Sequence, residues 1–206
     1  MGNFDMDDMD TLFRNQIEIL RGRGTPEQIV EILESQKGVV LARASEMAIG
    51  DGPFDGTQGK HIPFLPVIPR SFRSLYDLIA TARKGNQAGY NHLKPTEIRD
   101  VVGAPQEPYY IYDVEDGKAT LGESPQDAEN ILKKQSRSPL TAAEVAALVT
   151  HTYVLSRHCV WATGSRDESA DGVPGVSMRC GVRPVLDWGS VNSSFLRWGS
   201  ASCGSR

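Results

Sequence analysis

Apolar residues recur at helical spacing from Asp10 to Arg21. Phe13, Ile17 and Leu20 share one face with Leu12 and Ile19 beside it, and Gly22 and Gly24 stop the helix. Thr25-Pro26-Glu27-Gln28 reads as a second helix start, with Thr25 as N-cap, Pro26 in the first turn and Gln28 closing a capping box. Ile29, Val30, Ile32 and Leu33 form its apolar side. Val39 to Ile49 predicts a third, weaker helix. Gly50 to Gly59 is rich in Gly and Asp; it reads as a loop, the best boundary in the chain and the first place a protease should cut. Ile62 to Pro69 carries Pro63, Pro66 and Pro69, so it reads as an edge strand or a polyproline-like segment. Ser71 is expected to cap a helix with Leu75, Leu78, Ile79 and Ala82 on one side.

Tyr109 to Val114, aromatic and β-branched, is the clearest strand, and Glu115 to Lys118 predicts a hairpin turn into Ala119–Leu121. Ser124-Pro125 opens a helix to about Lys134, and Thr141-Ala-Ala-Glu144 is a capping box. After His158 the pattern changes to short strands between Gly, Ser and Asp: Cys159–Thr163, Val176–Cys180, Val182–Trp188 and Phe195–Trp198. Helices early and a β-rich end predict an α+β protein. Its parts are an N-terminal helical segment (1–50), a linker (51–61) and a mixed α+β domain (62–206).

The net charge of −4 over 206 residues gives no global basic field for nucleic acid. No apolar run approaches the ~20 residues of a membrane span, and the acidic start resembles neither a signal peptide nor a myristoylation signal. An odd count of three Cys argues against a disulfide framework. The expectation is a soluble cytoplasmic protein. Dinucleotide, P-loop, zinc-protease and esterase signatures are all missing.

The segment from His151 onward differs from the rest. It holds all three Trp and all three Cys, with six Arg, no Lys and four carboxylates. It also holds two similar stretches, Cys159-Val-Trp-Ala-Thr-Gly-Ser-Arg166 and Trp198-Gly-Ser-Ala-Ser-Cys-Gly-Ser-Arg206. Arg166, Arg183 and Arg197, with Trp188, Trp198 and Ser165, would suit a ligand bearing carboxylate or phosphate, because Arg offers a planar fork and Trp a flat wall. The same residues would equally serve as internal ion pairs, core and turns. Cys203 or Cys159 with His151 would suit a thiol nucleophile and its base. Cys159, Cys203, His151 and His158 would supply enough ligands for zinc, although no Cys-x-x-Cys pair exists. Cys159 and Cys203, sitting in the two similar stretches, are expected to be neighbours in space.

Ser138-Pro-Leu-Thr-Ala-Ala-Glu144, Leu148-Val-Thr-His151, Cys159, Gly164-Ser-Arg166, Val173-Pro174, Trp188 and the closing Gly199-Ser-Ala-Ser-Cys-Gly204 resemble an uncharacterised bacterial family of unknown function, mainly actinobacterial, over roughly residues 63–206. The resemblance implies a paired role for Cys159 and Cys203, leaves Cys180 particular to this chain, and implies no chemistry. A six-residue likeness, Gly181 to Leu186, is similar to the closing strand of C-type-lectin-like and sulfatase-modifying-factor-like domains. The leading expectation is a non-catalytic binding or interaction module for a small anionic ligand or a protein partner. A cysteine-dependent enzyme and a zinc-stabilised structural protein follow.

Overall fold

The structure is a computed structural model that describes residues 6–50, 61–168 and 171–206. The expected Gly50–Gly59 boundary lies, apart from Gly50, outside the described residues.

The described residues form helices α1 (Met6–Gly22), α2 (Glu27–Ser35), α3 (Lys37–Glu46), α4 (Leu75–Thr81), α5 (Pro125–Lys134) and α6 (Ala142–His151). The strands in chain order are β1 (Ile62–Val67), β2 (Arg83–Lys84), β3 (Gln87–Ala88), β4 (Tyr90–Asn91), β5 (Ile98–Asp100), β6 (Tyr109–Val114), β7 (Ser138–Pro139), β8 (Cys159–Trp161), β9 (Ser165–Asp167), β10 (Gly172–Arg179), β11 (Arg183–Ser190), β12 (Trp198–Ser200) and β13 (Ser202–Cys203). Helices lead and a β-rich part follows, so the fold is α+β.

The amphipathic reading of α1 holds: Met9, Phe13, Ile17 and Leu20 are buried together with Gln16, whose side chain donates to the Phe64 carbonyl. Phe13 stacks on Tyr110 with ring centroids 5.7 Å apart. The N-terminal helices therefore share one continuous core with β1, β6 and α6. The Thr25 capping box does not form. Thr25 is tied back to α1 through its N–H to the Leu20 carbonyl, and Pro26 takes the cap position with no side-chain bond. Ser74, not Ser71, caps α4 by accepting from the Asp77 amide; the Ser71 hydroxyl donates to Gln106 instead.

Strand β1 pairs antiparallel with β6, and all six of its residues are buried despite Pro63 and Pro66. The two Pro are three residues apart, so their nitrogens face opposite edges: Pro66 faces the edge away from β6, and Pro63 falls opposite Asp113, where the β1–β6 register lapses. The turn after β6 leads to a short 3₁₀ helix at Lys118–Thr120 rather than a hairpin, because the Glu115 carboxylate accepts the Gly117 and Ala119 amides and curls the chain. Helix α5 starts as the sequence dictates, Ser124 accepting from Asp127. Helix α6 has both halves of its Thr141–Glu144 capping box.

The tail supplies four strands of a five-stranded sheet of order β12-β8-β10-β11-β4, with β4 at its edge. Trp161 and Trp198 stack on it with centroids 3.9 Å apart. Their rings lie over Gly175 and Gly189, where any Cβ would overlap the indoles. Trp161 with Val173 and Val191 makes a small second core.

Candidate functional site

The six Arg of the tail divide into two sets. Arg157, Arg166 and Arg206 pair with Asp116, Glu129 and Glu144 respectively. Arg179, Arg183 and Arg197 pair with no carboxylate among the described residues; Arg197 donates to the Arg157 carbonyl.

The residues expected to form one site are not brought together. Arg166 is 6% exposed and donates to the Thr163 and Ser165 carbonyls as well as pairing with Glu129. Burial lowers the pKa of its guanidinium, the Asp167 charge opposing. The Ser165 hydroxyl donates to Asp100 and accepts the Ala142 amide, knitting β5 and β9 to the start of α6. Arg183 lies at the β10–β11 turn, beside β4 at one edge of the sheet, while Trp198 lies on β12 at the other edge. Trp188 packs, partly buried, against the main core. The Gly199–Gly204 turn is largely covered, with Ser200, Ala201, Ser202 and Cys203 fully buried.

The cysteines also have separate surroundings. Cys159 lies opposite Trp198, and burial pushes its thiol up against an opposing backbone bond from Met178. Cys203 is fully buried, and burial followed by the Glu144 charge pushes its thiol up to about 12. Cys180 is exposed in the β10–β11 turn, and all three thiols are free. His151 is the last residue of α6, with both ring nitrogens buried and unpartnered. It lines a cavity of about 20 Å³ with Leu20, Ile68, Leu78 and Ala147 and is no base for either thiol. His158 donates to the Asp116 carbonyl. No group of three or more His, Cys, Asp or Glu side chains among the described residues is arranged to hold a metal ion.

A different groove is present, of about 380 Å³, within the range of small-molecule pockets. Helix α5 supplies Glu129 and Lys133, four residues apart and therefore on one face. Helix α5 ends in a turn that feeds the groove floor: the Ser136 amide donates to Lys133 and the Arg137 amide to Leu132, with Ser136 at φ 55°. That is the paired bonding of a left-handed helix stop, with Ser where Gly is usual. The turn aims Arg137 across the chain at Asp113 and Ser202. Asp113, itself at φ 51°, also takes the His61 Nδ1–H at 2.7 Å and the Gly50 amide at 2.9 Å. Burial pushes the Asp113 carboxyl up, but these three donors outweigh it and hold it below the usual carboxylate range. Val101, Val102, Ser138, Pro139 and Thr163 complete the lining. Thr163 is fully buried, and its hydroxyl has no hydrogen-bond partner. Lys133 is exposed and pairs with no carboxylate among the described residues.

Thr163 precedes Gly164-Ser165-Arg166 in one of the two similar stretches, but nothing in that pattern marks the threonine as functional. Lys133 and Arg137 carry no sequence signal, because they come from the last turn of α5 and the turn after it and meet the tail only in three dimensions.

No curated protein and no solved structure matches the chain. Over residues 25–206 it matches the Family of unknown function DUF5701, which takes in α2 and everything after it, the groove and the tail together. The chain belongs to that family.

Proposed function

We propose that the protein is a non-catalytic binding module whose groove takes a small polar molecule bearing an acidic group. The observation that carries this reading is the Thr163 hydroxyl, fully buried in the groove wall without a partner. An orphaned buried hydroxyl costs stability that a ligand hydrogen bond would restore. Lys133 supplies an uncompensated cation at the same groove, and the charges of Arg137 and Glu129 are already neutralised by Asp113 and Arg166. The groove therefore favours an anion. Catalysis by cysteine has less support, because both Cys159 and Cys203 are shifted away from thiolate, the opposite of what a nucleophile needs. The reading includes a cytoplasmic setting, in keeping with three free thiols.

The test is a thermal-shift screen of small carboxylates and phosphate esters against the wild type, Lys133→Ala and Thr163→Val. A hit should raise the wild-type melting temperature and lose most of that rise in both variants. No hit, or hits indifferent to both changes, would remove the groove. A protein partner is the second reading. It rests on the tail loop, where Phe195 is 50% and Leu196 91% exposed beside Trp198.

A further inference from the structure

The tip of the β10–β11 hairpin has a separate chemistry. Cys180 and Gly181 both adopt positive φ, 49° and 67°, and the Val182 amide closes the turn on the Arg179 carbonyl. This reversal puts Arg179 and Arg183 directly opposite each other in register, so both side chains leave the same face of the sheet. Like charges in that position repel, and no carboxylate among the described residues compensates either one. Tyr90 of β4 pairs with Val185, two residues on from Arg183, and so shares that face.

These side chains hold one another in place. The Arg183 guanidinium lies 5.0 Å from the Tyr90 ring centroid. The His92 and Tyr90 rings meet nearly at right angles with centroids 4.9 Å apart, and His92 Nε2 accepts from Arg179 Nη1 at 3.0 Å. Lys84 of the neighbouring β2–β3 hairpin donates to the Gly181 carbonyl, which brings a third cation to the turn. A guanidinium stacked on an aromatic face keeps its N–H edge free to bind, and fixing it beforehand reduces the entropy lost on binding.

We propose that this face is a second, independent site for a small phosphate-bearing anion, held between Arg179 and Arg183. A multiply charged phosphate fits better than a single carboxylate. Two uncompensated guanidiniums and an ammonium meet there, and each guanidinium offers two parallel donors to phosphate oxygens.

The test titrates the full chain with pyrophosphate by calorimetry, at ionic strength held constant with sodium chloride. Arg179→Ala and Arg183→Ala should each weaken binding by about tenfold or more. Arg179→Lys and Arg183→Lys should fall between, because an ammonium keeps the charge but loses the fork. Lys118→Ala, an exposed lysine outside both the groove and this face, should bind as the wild type does. No saturable pyrophosphate binding would overturn the proposal. So would a loss seen with Lys133→Ala and not with the Arg variants, which would put the anion in the groove. A phosphoserine peptide that binds where pyrophosphate does not would overturn the small-molecule assignment in favour of a protein partner.

Discussion

Arg206 grips Glu144 at two points: its Nε lies 2.6 Å from Oε1 and its Nη2 2.8 Å from Oε2. Glu144 is fully buried, and the same carboxylate also accepts the Tyr109 hydroxyl and the Thr141 amide. One carboxylate thus joins β6, the start of α6 and the end of the tail.

Removing the cation should be costly. Arg206→Ala leaves a buried carboxylate without its counter-charge and should lower stability by about 3–5 kcal/mol in urea unfolding. The paired change Glu144→Leu with Arg206→Met should lose less than Arg206→Ala alone, since no charge is then stranded. A single-variant loss below about 1 kcal/mol, the worth of an exposed pair, would show that the clasp is ornamental.

Stability should fall with acid through His151. Burial, and then the Arg23 charge, push its imidazole from 6.5 down to about 3. The unfolded chain takes up this proton at higher pH than the folded one, so the group costs nothing above pH 6.5 and an increasing amount from there toward pH 3. Urea midpoints between pH 8 and pH 4 should show His151→Leu losing less stability on acidification than the wild type. Parallel pH curves for the two proteins would contradict the assignment.

Ser136 holds a left-handed position at the end of α5. Ser136→Gly should raise stability by about 0.5–1 kcal/mol, because Gly carries no Cβ penalty there. The side chain is exposed, so nothing packed is lost. A drop in melting temperature would mean that the Ser136 hydroxyl itself holds the groove.

The three thiols should react in order. Cys180 is exposed, Cys159 half-buried and Cys203 fully buried. A thiol reagent should count one fast group, one slow group and a third only on unfolding. Simultaneous protection of Cys159 and Cys203, reversed by a chelator, would revive the zinc reading.

What the sequence determined by itself was local. Ser124 before Pro125, and Thr141 three residues before Glu144, specify helix starts because the capping atoms lie within one turn of each other. The aromatic and β-branched content of Tyr109–Val114 specified a strand, and the spacing of Phe13, Ile17 and Leu20 specified a buried helix face. Only the tertiary structure decided how side chains far apart in sequence meet. Arg166 looked like a ligand fork until Glu129 occupied it. Cys159 and Cys203 sit in similar stretches, yet one faces the β12 ladder and the other the Glu144–Arg206 pair. Lys133 reached the Thr163 groove from α5 and Arg137 through the left-handed turn after it, and Arg179 met His92 across 87 residues of chain. Charge pairing and burial depend on distance in space, and a sequence pattern carries that information only within the reach of one helix turn or one strand pair.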